Sequence, residues 1–193
     1  SRLDFFRWCE ELGINSDQTR GPSKKGTIGF PLGGSQPYFP LDDERDSPRF
    51  LPVLEVNLQT QDLVVVCPPE YGGQLVDSVL RHHGVAHFLF HPAHILKHLV
   101  SDTLCGLVDY GRAQGLEWWT NERIFQWEMQ RRGVQATFDS ANRFSLRAAQ
   151  PLREAMLLVL KARAEPRALS INGHPARGNA WSLHGFEFDA VSL

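Results

Sequence analysis

Hydrophobic residues follow a helical spacing in three segments of the chain, at 2–12, 71–83 and 97–113. Each segment is followed within two residues by a glycine, and this combination predicts amphipathic helices. Short apolar runs at 51–58 and 85–90 predict buried strands. Strands that alternate with helices predict an α/β fold for this part of the chain.

The pattern changes beyond a last predicted helix, which Thr120 opens as an N-cap and Gly133 ends. From there, short strands separated by turn residues replace the helical spacing, and Asn172-Gly173 has the composition of a hairpin turn. We therefore predict two domains, residues 1–133 and residues 134–193, the second being part of a β-sandwich. Its strands are expected at 135–138, 143–148, 155–160, 168–171 and 185–193.

The apolar run 85–90 ends abruptly at His91-Pro92, and this is the most informative feature of the sequence. Proline has no N–H to donate, so the strand is expected to stop there. The carboxyl ends of parallel strands are where α/β folds place their chemistry. His91 is therefore the first candidate for acid–base work, because an imidazole titrates near neutral pH.

Four histidines, at positions 87, 91, 94 and 98, have a spacing that would place them on one face of a helix. A proline at position 92 argues against a helix through His91, so this metal stripe is not expected. His91 and His94 could still meet around a turn, and a zinc site built on them remains an alternative. We expect His94 and His98 to be surface or capping residues.

Two further residues are candidates for the site. Asp62 follows a predicted strand, where its carboxylate could orient a histidine or simply form a turn. Trp119 is adjacent to Trp118 in a short strand expected at 115–119, where one of two neighbours faces inward while the other, with Trp127, could reach a groove and stack on a sugar ring.

Composition excludes several classes of function. Among 193 residues, 20 basic and 22 acidic side chains give a net charge of −2, and no basic stripe suggests a nucleic-acid partner. Three cysteines without a CxxC indicate neither a zinc ribbon nor a disulfide framework. No apolar run approaches the roughly 18 residues of a membrane span. The chain begins at Ser1 without methionine, so we expect a piece of a longer protein, and its localisation, cytoplasm or bacterial envelope, stays open.

The order of short motifs along residues 1–132 resembles the carboxyl-terminal half of a NodB-homology polysaccharide deacetylase. The motifs are Gly-Phe-Pro at 29–31, an acidic stretch at 42–44, Leu-Glu-Val at 54–56 with a later Asp62, Leu89-Phe90-His91, and Trp119-Thr120. The resemblance implies a partial, distorted (β/α) barrel and a hydrolase acting on non-peptide C–N bonds. Its substrate would be an N-acetylated sugar or polysaccharide.

The resemblance also implies roles for individual residues. His91 would protonate the leaving amine, Leu89 would line the pocket for the acyl methyl group, and Asp62 would correspond to the carboxylate that tunes the histidine. A divalent metal, zinc or similar, would activate water. The family's metal-binding motifs lie upstream of the matched region, so we expect no metal site in this chain and no activity from it alone. The rival interpretation is a carbohydrate-binding or assembly module without catalysis.

Overall fold

The computed structural model describes residues 1–138, 144–150, 155–161, 169–171 and 173–192. These residues form two compact units, Ser1–Glu128 and Met129–Leu193, so the division falls close to the boundary expected after residue 133. The architecture is mixed α/β, with five helices among the described residues and several small sheets.

A helix forms in each of the four segments where one was predicted, and the one-turn helix at Pro92–Ile95 was not predicted. Helix α1 buries Phe6 and Cys9 and is followed by Gly13, whose φ of +70° is one that glycine adopts without strain. The last helix begins as predicted, because the Thr120 hydroxyl accepts the N–H of Arg123 at 3.2 Å. The bounds are α1 Asp4–Glu11, α2 Tyr71–Arg81, α3 Pro92–Ile95, α4 Val100–Ala113 and α5 Asn121–Arg132.

The strands of the first unit are only two residues long and pair two by two. Strand β1 pairs in parallel with β4, β2 pairs with β3 in antiparallel fashion, and β5 pairs in parallel with β6. The predicted strands 51–58 and 85–90 therefore contain β4 and β6, in much shortened form. The bounds are β1 Ser16–Asp17, β2 Leu41–Asp42, β3 Arg49–Phe50, β4 Leu54–Glu55, β5 Thr60–Gln61 and β6 Phe88–Leu89.

The core of the first unit lies on both sides of the segment that contains β4. One cluster joins α1 to residues 51 and 53 of this segment, and a second joins Phe39 to Leu54 and Val56. Partly buried Ile124 and Phe125 of α5 pack against the second cluster. Since apolar burial contributes about 25 cal/mol per Å², these contacts are what hold the short strands in place.

The second unit is built from strands and the end of α5. A hairpin joins β7 to β8, a second joins β10 to β11, and β12, β13 and β9 form a three-stranded antiparallel sheet in that order. Asn172 of the predicted hairpin turn lies outside the described residues, but the pairing of Ile171 with His174 closes a hairpin at that point. The bounds are β7 Gln135–Phe138, β8 Phe144–Arg147, β9 Met156–Leu160, β10 Leu169–Ile171, β11 His174–Ala176, β12 Asn179–Leu183 and β13 Phe186–Ser192.

One strand predicted within the described residues does not form, and two predicted architectures, the partial barrel and the β-sandwich, remain predictions. Gly115 belongs to a turn and residues 116–119 are irregular, so the short strand expected at 115–119, with its alternation of Trp118 and Trp119, was wrong. The small sheets close no barrel within the described residues, and the partial (β/α) barrel and the β-sandwich remain predictions. No helix in the described part of the chain has the length and apolar character needed to cross a bilayer.

Candidate functional site

The candidate site lies where two parallel strands end. Thr60 of β5 is opposite Phe88 of β6, and Gln61 is opposite Leu89. Because the strands run in the same direction, their carboxyl ends lie at one edge. Asp62 follows β5 directly, and its N–H donates to the carbonyl of Leu89 at 2.7 Å.

The chain turns sharply after Asp62. The φ of Asp62 is +37°, in the left-handed region that aspartate tolerates better than most residues. Its carbonyl accepts the N–H groups of Val65 and Val66, at 2.9 and 3.0 Å. Val64 has a φ of +82°, a strained conformation for a β-branched side chain. This tight loop fixes the backbone from which the carboxylate projects.

Both carboxylate oxygens of Asp62 hold His91. Oδ1 accepts the backbone N–H of His91 at 2.7 Å, and Oδ2 lies 2.6 Å from Nδ1 of its ring. The Asp62 side chain is 2% exposed, whereas that of His91 is 48% exposed. The buried carboxylate therefore orients the exposed ring, and it favours the tautomer with a proton on Nδ1. The opposite nitrogen, Nε2, is left for a ligand or substrate.

The charge of Asp62 is maintained despite its burial. Burial alone would raise the pKa of this carboxyl group. The hydrogen bonds from the backbone and ring of His91, together with neighbouring His94, outweigh burial, so the pKa lies below its ordinary value. Asp62 is consequently an anion at neutral pH, as an orienting or metal-binding carboxylate must be.

His94 was expected at the surface, and the structure instead brings it to Asp62. His91 is the N-cap of α3 and Pro92 its first residue, so the one-turn helix folds His94 back beside His91, with ring centroids 5.5 Å apart. Nδ1 of His94 lies 2.7 Å from Oδ2 of Asp62. This nitrogen is buried, yet it makes no hydrogen bond of acceptable geometry, so it is in contact with the carboxylate but not satisfied by it.

Asp62, His91 and His94 together make a set that could hold a metal ion. One ligand atom from each lies within 4.8 Å of the other two. The sequence-based expectation placed the metal on residues upstream of this chain, and it did not anticipate that Asp62 would join the two histidines. A partial signal came from two features of the sequence. His91-x-x-His94 follows one predicted strand, and Asp62 follows another.

The two predicted substrate-binding residues occupy different environments. Leu89 is 37% exposed, and its carbonyl is bonded to Asp62, so it lies at the strand ends. Trp119 makes its contacts within its own segment: its Nε1 donates to Glu117 at 2.7 Å, Arg123 lies 3.9 Å above its ring, and Trp127 packs edge-on. None of these contacts joins Trp119 to Asp62 or His91.

Two other residue pairs have the spacing of metal-binding motifs, but in each pair one residue is held by a contact within the protein. His87 and His91 are spaced as His-x-x-x-His, but Nδ1 of His87 lies 3.0 Å from the carbonyl of Val56. Burial lowers the pKa of His87, which keeps this ring neutral. Asp42-Asp43 is an aspartate pair, and Arg7 holds the buried Asp42 in a bidentate contact at 2.6 and 3.1 Å. Neither pair is available to a cation.

Glu55 is a buried glutamate that the sequence did not indicate as a functional residue. Glu55 lies in β4 and pairs in register with Asp17, and its Oε1 accepts the N–H of Arg20 at 3.0 Å. Burial, followed by the hydrogen bond that the protonated acid forms with Asp17, raises the pKa of Glu55 to about 8, against the effect of Arg20. The only signal in the sequence is an acid in the middle of an apolar run.

A cavity of about 420 Å³ lies beside Asn57, away from the residues predicted for catalysis. Asn57 is 3% exposed, and its Oδ1 is buried without a hydrogen-bond partner. None of the described residues that line this cavity is charged, which makes it unsuited to acid–base chemistry. Its lining residues are Leu32, Gly33, Gly34, Gln36, Tyr38 and Asn57.

Comparison with known proteins identifies no relative. No protein-family model, no curated protein and no solved structure matches this chain. What the site can do therefore has to be argued from the geometry around Asp62.

Proposed function

We propose that the protein containing this chain is a metal-dependent hydrolase that removes acetyl groups from N-acetylated sugars, with His91 as its general acid. The observation that supports this most directly is the double contact between Asp62 and His91. One residue supplies both the anion that orients the ring and the anchor for the backbone at the strand end.

The reaction breaks the C–N bond of an acetamide. Water adds to the carbonyl carbon and gives one proton to a base that the resemblance places outside residues 1–132, the C–N electron pair moves to nitrogen, and acetic acid and an amine are released. An amine cannot leave as an anion, so its nitrogen must receive a proton as the bond breaks. In our proposal, Nε2 of His91 donates this proton. The resemblance assigns the activation of water to a cation held outside residues 1–132.

Asp62 acts on His91 in two ways. Its carboxylate, shielded from solvent, lies 2.6 Å from Nδ1 of the ring and holds a proton there, so that the proton to be donated is the one on Nε2. The contact of Oδ2 with Nδ1 also restricts rotation of the ring, and the bond from the backbone N–H to Oδ1 fixes the main chain, so that Nε2 keeps one direction. An acid positioned in this way typically contributes a factor of 10²–10⁴ to a rate.

The partial exposure of His91 and Leu89 supports a polymeric substrate. Both side chains lie at the strand ends, and neither is enclosed. An open site of this kind can accept a sugar unit within a chain, with the acetyl methyl against Leu89. Trp119 is proposed to stack on a further sugar unit, as aromatic rings do on sugar faces.

The test compares two substrates in the protein that contains this chain. Acetate release from N-acetylglucosamine oligomers requires protonation of an amine, whereas 4-nitrophenyl acetate releases a stable anion that needs no proton. We expect His91→Ala to lower kcat on the oligomers about 10²–10⁴-fold and to leave ester hydrolysis within a few fold. Asp62→Asn, which keeps the shape of the side chain, should lower kcat on the oligomers by a smaller factor.

His98→Ala is the matched control, since His98 is an exposed histidine close by in the same region. It should hydrolyse both substrates at the unaltered rate. Equal losses on the two substrates for His91→Ala would contradict the role of proton donor. A protein that binds the oligomers and releases no acetate would instead support the non-catalytic carbohydrate-binding module.

A further inference from the structure

We propose that Asp62, His91 and His94 form a zinc-binding site within this chain. The inference concerns these three side chains alone and does not depend on residues upstream. It rests on their ligand chemistry, on their distances and on one unsatisfied nitrogen atom.

The ligand chemistry matches zinc. Two imidazole nitrogens and one carboxylate oxygen are common ligands of Zn²⁺, and sites with three protein ligands usually keep a fourth position for water. Mg²⁺ and Ca²⁺ prefer oxygen ligands throughout, so a site with two nitrogens discriminates against them. Asp62 supplies the carboxylate oxygen from a side chain that is only 2% exposed.

The distances require only a small expansion. Oδ2 of Asp62 lies 2.6 Å from Nδ1 of His91 and 2.7 Å from Nδ1 of His94. In a tetrahedral zinc site with bonds of about 2.0–2.1 Å, neighbouring ligand atoms are about 3.3 Å apart. Opening each contact by less than about 1 Å would therefore admit the ion. The partly exposed histidine side chains have room to make this change.

His94 provides the observation that points to a missing ligand. Its Nδ1 is buried and lies 2.7 Å from Oδ2 of Asp62, outside hydrogen-bond geometry and against an oxygen already engaged by His91, and no other described group satisfies it. A buried polar atom in this condition costs free energy unless something else satisfies it. A cation between the three atoms would satisfy Nδ1 of His94 and relieve the crowding of two rings around one oxygen.

The surrounding structure keeps the ligands in place. Oδ1 of Asp62 remains bonded to the backbone N–H of His91, and this contact orients the carboxylate. The backbone N–H of His94 donates to the carbonyl of His91 at 2.8 Å, which fixes the separation of the two rings. The solvent-exposed side of His91 leaves an entry path and a place for water.

Zinc binding has a consequence for the proposed acid, and this consequence rests on the proposed function. A zinc ion on Nδ1 of His91 replaces the proton that Asp62 holds there and withdraws the ring from proton transfer. The site would then exist in a zinc-free state that can transfer a proton or a zinc-loaded, inhibited state. The binding of zinc itself does not depend on any activity.

The experiment is a calorimetric titration of the metal-free 193-residue chain with ZnCl₂, with MgCl₂ as the second probe. We expect one equivalent of zinc to bind and no heat of binding from magnesium. His94→Ala and Asp62→Asn should each weaken zinc binding by more than about 100-fold, since each removes or neutralises one ligand. Circular dichroism of both variants verifies that the fold is retained.

His98→Ala is the matched control and should bind zinc like the unaltered chain. Co²⁺ gives a second measurement, because a tetrahedral site produces intense visible absorption that weak surface binding does not. An unaltered chain that binds no zinc overturns the proposal, as does full binding by His94→Ala. Neither result bears on the proton-donor role, which is tested by the turnover of His91→Ala on the two substrates.

Discussion

Replacement of Glu55 by glutamine should remove a large pH dependence from the stability of the first unit. Glu55 is completely buried, and its pKa is raised from 4.5 to about 8. Glutamine has the shape of the protonated acid. Its Oε1 can accept the N–H of Arg20, and its amide can donate to Asp17, as the acid's proton does. The variant therefore imitates one protonation state at every pH.

The sign of the effect follows from proton binding. Between pH 4.5 and pH 8 the folded chain keeps the proton on Glu55, whereas the unfolded chain has lost it. The unfolded state binds fewer protons, so the free energy of unfolding decreases as pH rises through this range. Each pH unit between the two pKa values contributes about 1.4 kcal/mol. From pH 4.5 to pH 7 the loss is therefore about 3 kcal/mol, and it levels off above pH 8.

The assay is urea unfolding followed by tryptophan fluorescence and circular dichroism, repeated at several pH values from 4.5 to 9. The informative quantity is the free energy of unfolding of Glu55→Gln minus that of the unaltered chain. Other groups titrate in both proteins and cancel in this difference, including His87, whose lowered pKa has the opposite sign. The difference should rise by about 3 kcal/mol between pH 4.5 and pH 7.

Glu11→Gln serves as the control, because Glu11 is exposed and its substitution should leave the difference flat. A flat difference for Glu55→Gln as well would refute the argument. It would mean that Glu55 ionises in the folded chain as readily as in the unfolded one. Asp17→Asn offers an independent measurement, since removal of the neighbouring carboxylate should flatten the pH dependence of stability in part.

Two further predictions concern the packing of the first unit. Arg7→Ala should lower Tm by several degrees, because it leaves Asp42 buried without its bidentate partner. Arg2 is exposed, so Arg2→Ala should change Tm little. Equal shifts of Tm for the two variants in differential scanning calorimetry would show that the burial of Asp42 is unimportant. Gly84→Ala should also lower Tm, since the added Cβ would lie 1.8 Å from Oγ of Ser35. The double variant that also carries Ser35→Gly should recover part of the lost Tm. A double variant without any recovery would show that the contact with Ser35 is not the cause.

Much of the fold could be predicted from apolar spacing. The helices at 71–83 and 97–113 and the N-cap at Thr120 follow from local rules, since an amphipathic helix shows its period over many residues. The strands of the first unit were harder, because two-residue strands such as β5 have no period to detect. Residues 115–119 resemble a strand in composition, yet they pair with no strand in the described part of the chain, and pairing depends on the rest of the fold.

The site could be predicted only in part, for a related reason. His91 is conspicuous because a strand stops at the following proline, and Asp62 because it follows another strand. That the two strands pair in parallel is a long-range fact, and the contact of Asp62 with His94 depends on it. Glu55 carried no usable signal, since its importance comes from burial beside Asp17 and not from its position in a motif.

The parallel register of β5 and β6 makes this chemistry sensitive to single-residue insertions. Only two residue pairs define the register, and Asp62 follows them immediately. A residue inserted between Gln61 and Asp62 would rotate the carboxylate to the opposite side of the strand and leave both imidazoles without their anion. The connection between the strands can change length without this penalty, so natural variation and loop grafting should be tolerated there and rejected at the two strand ends.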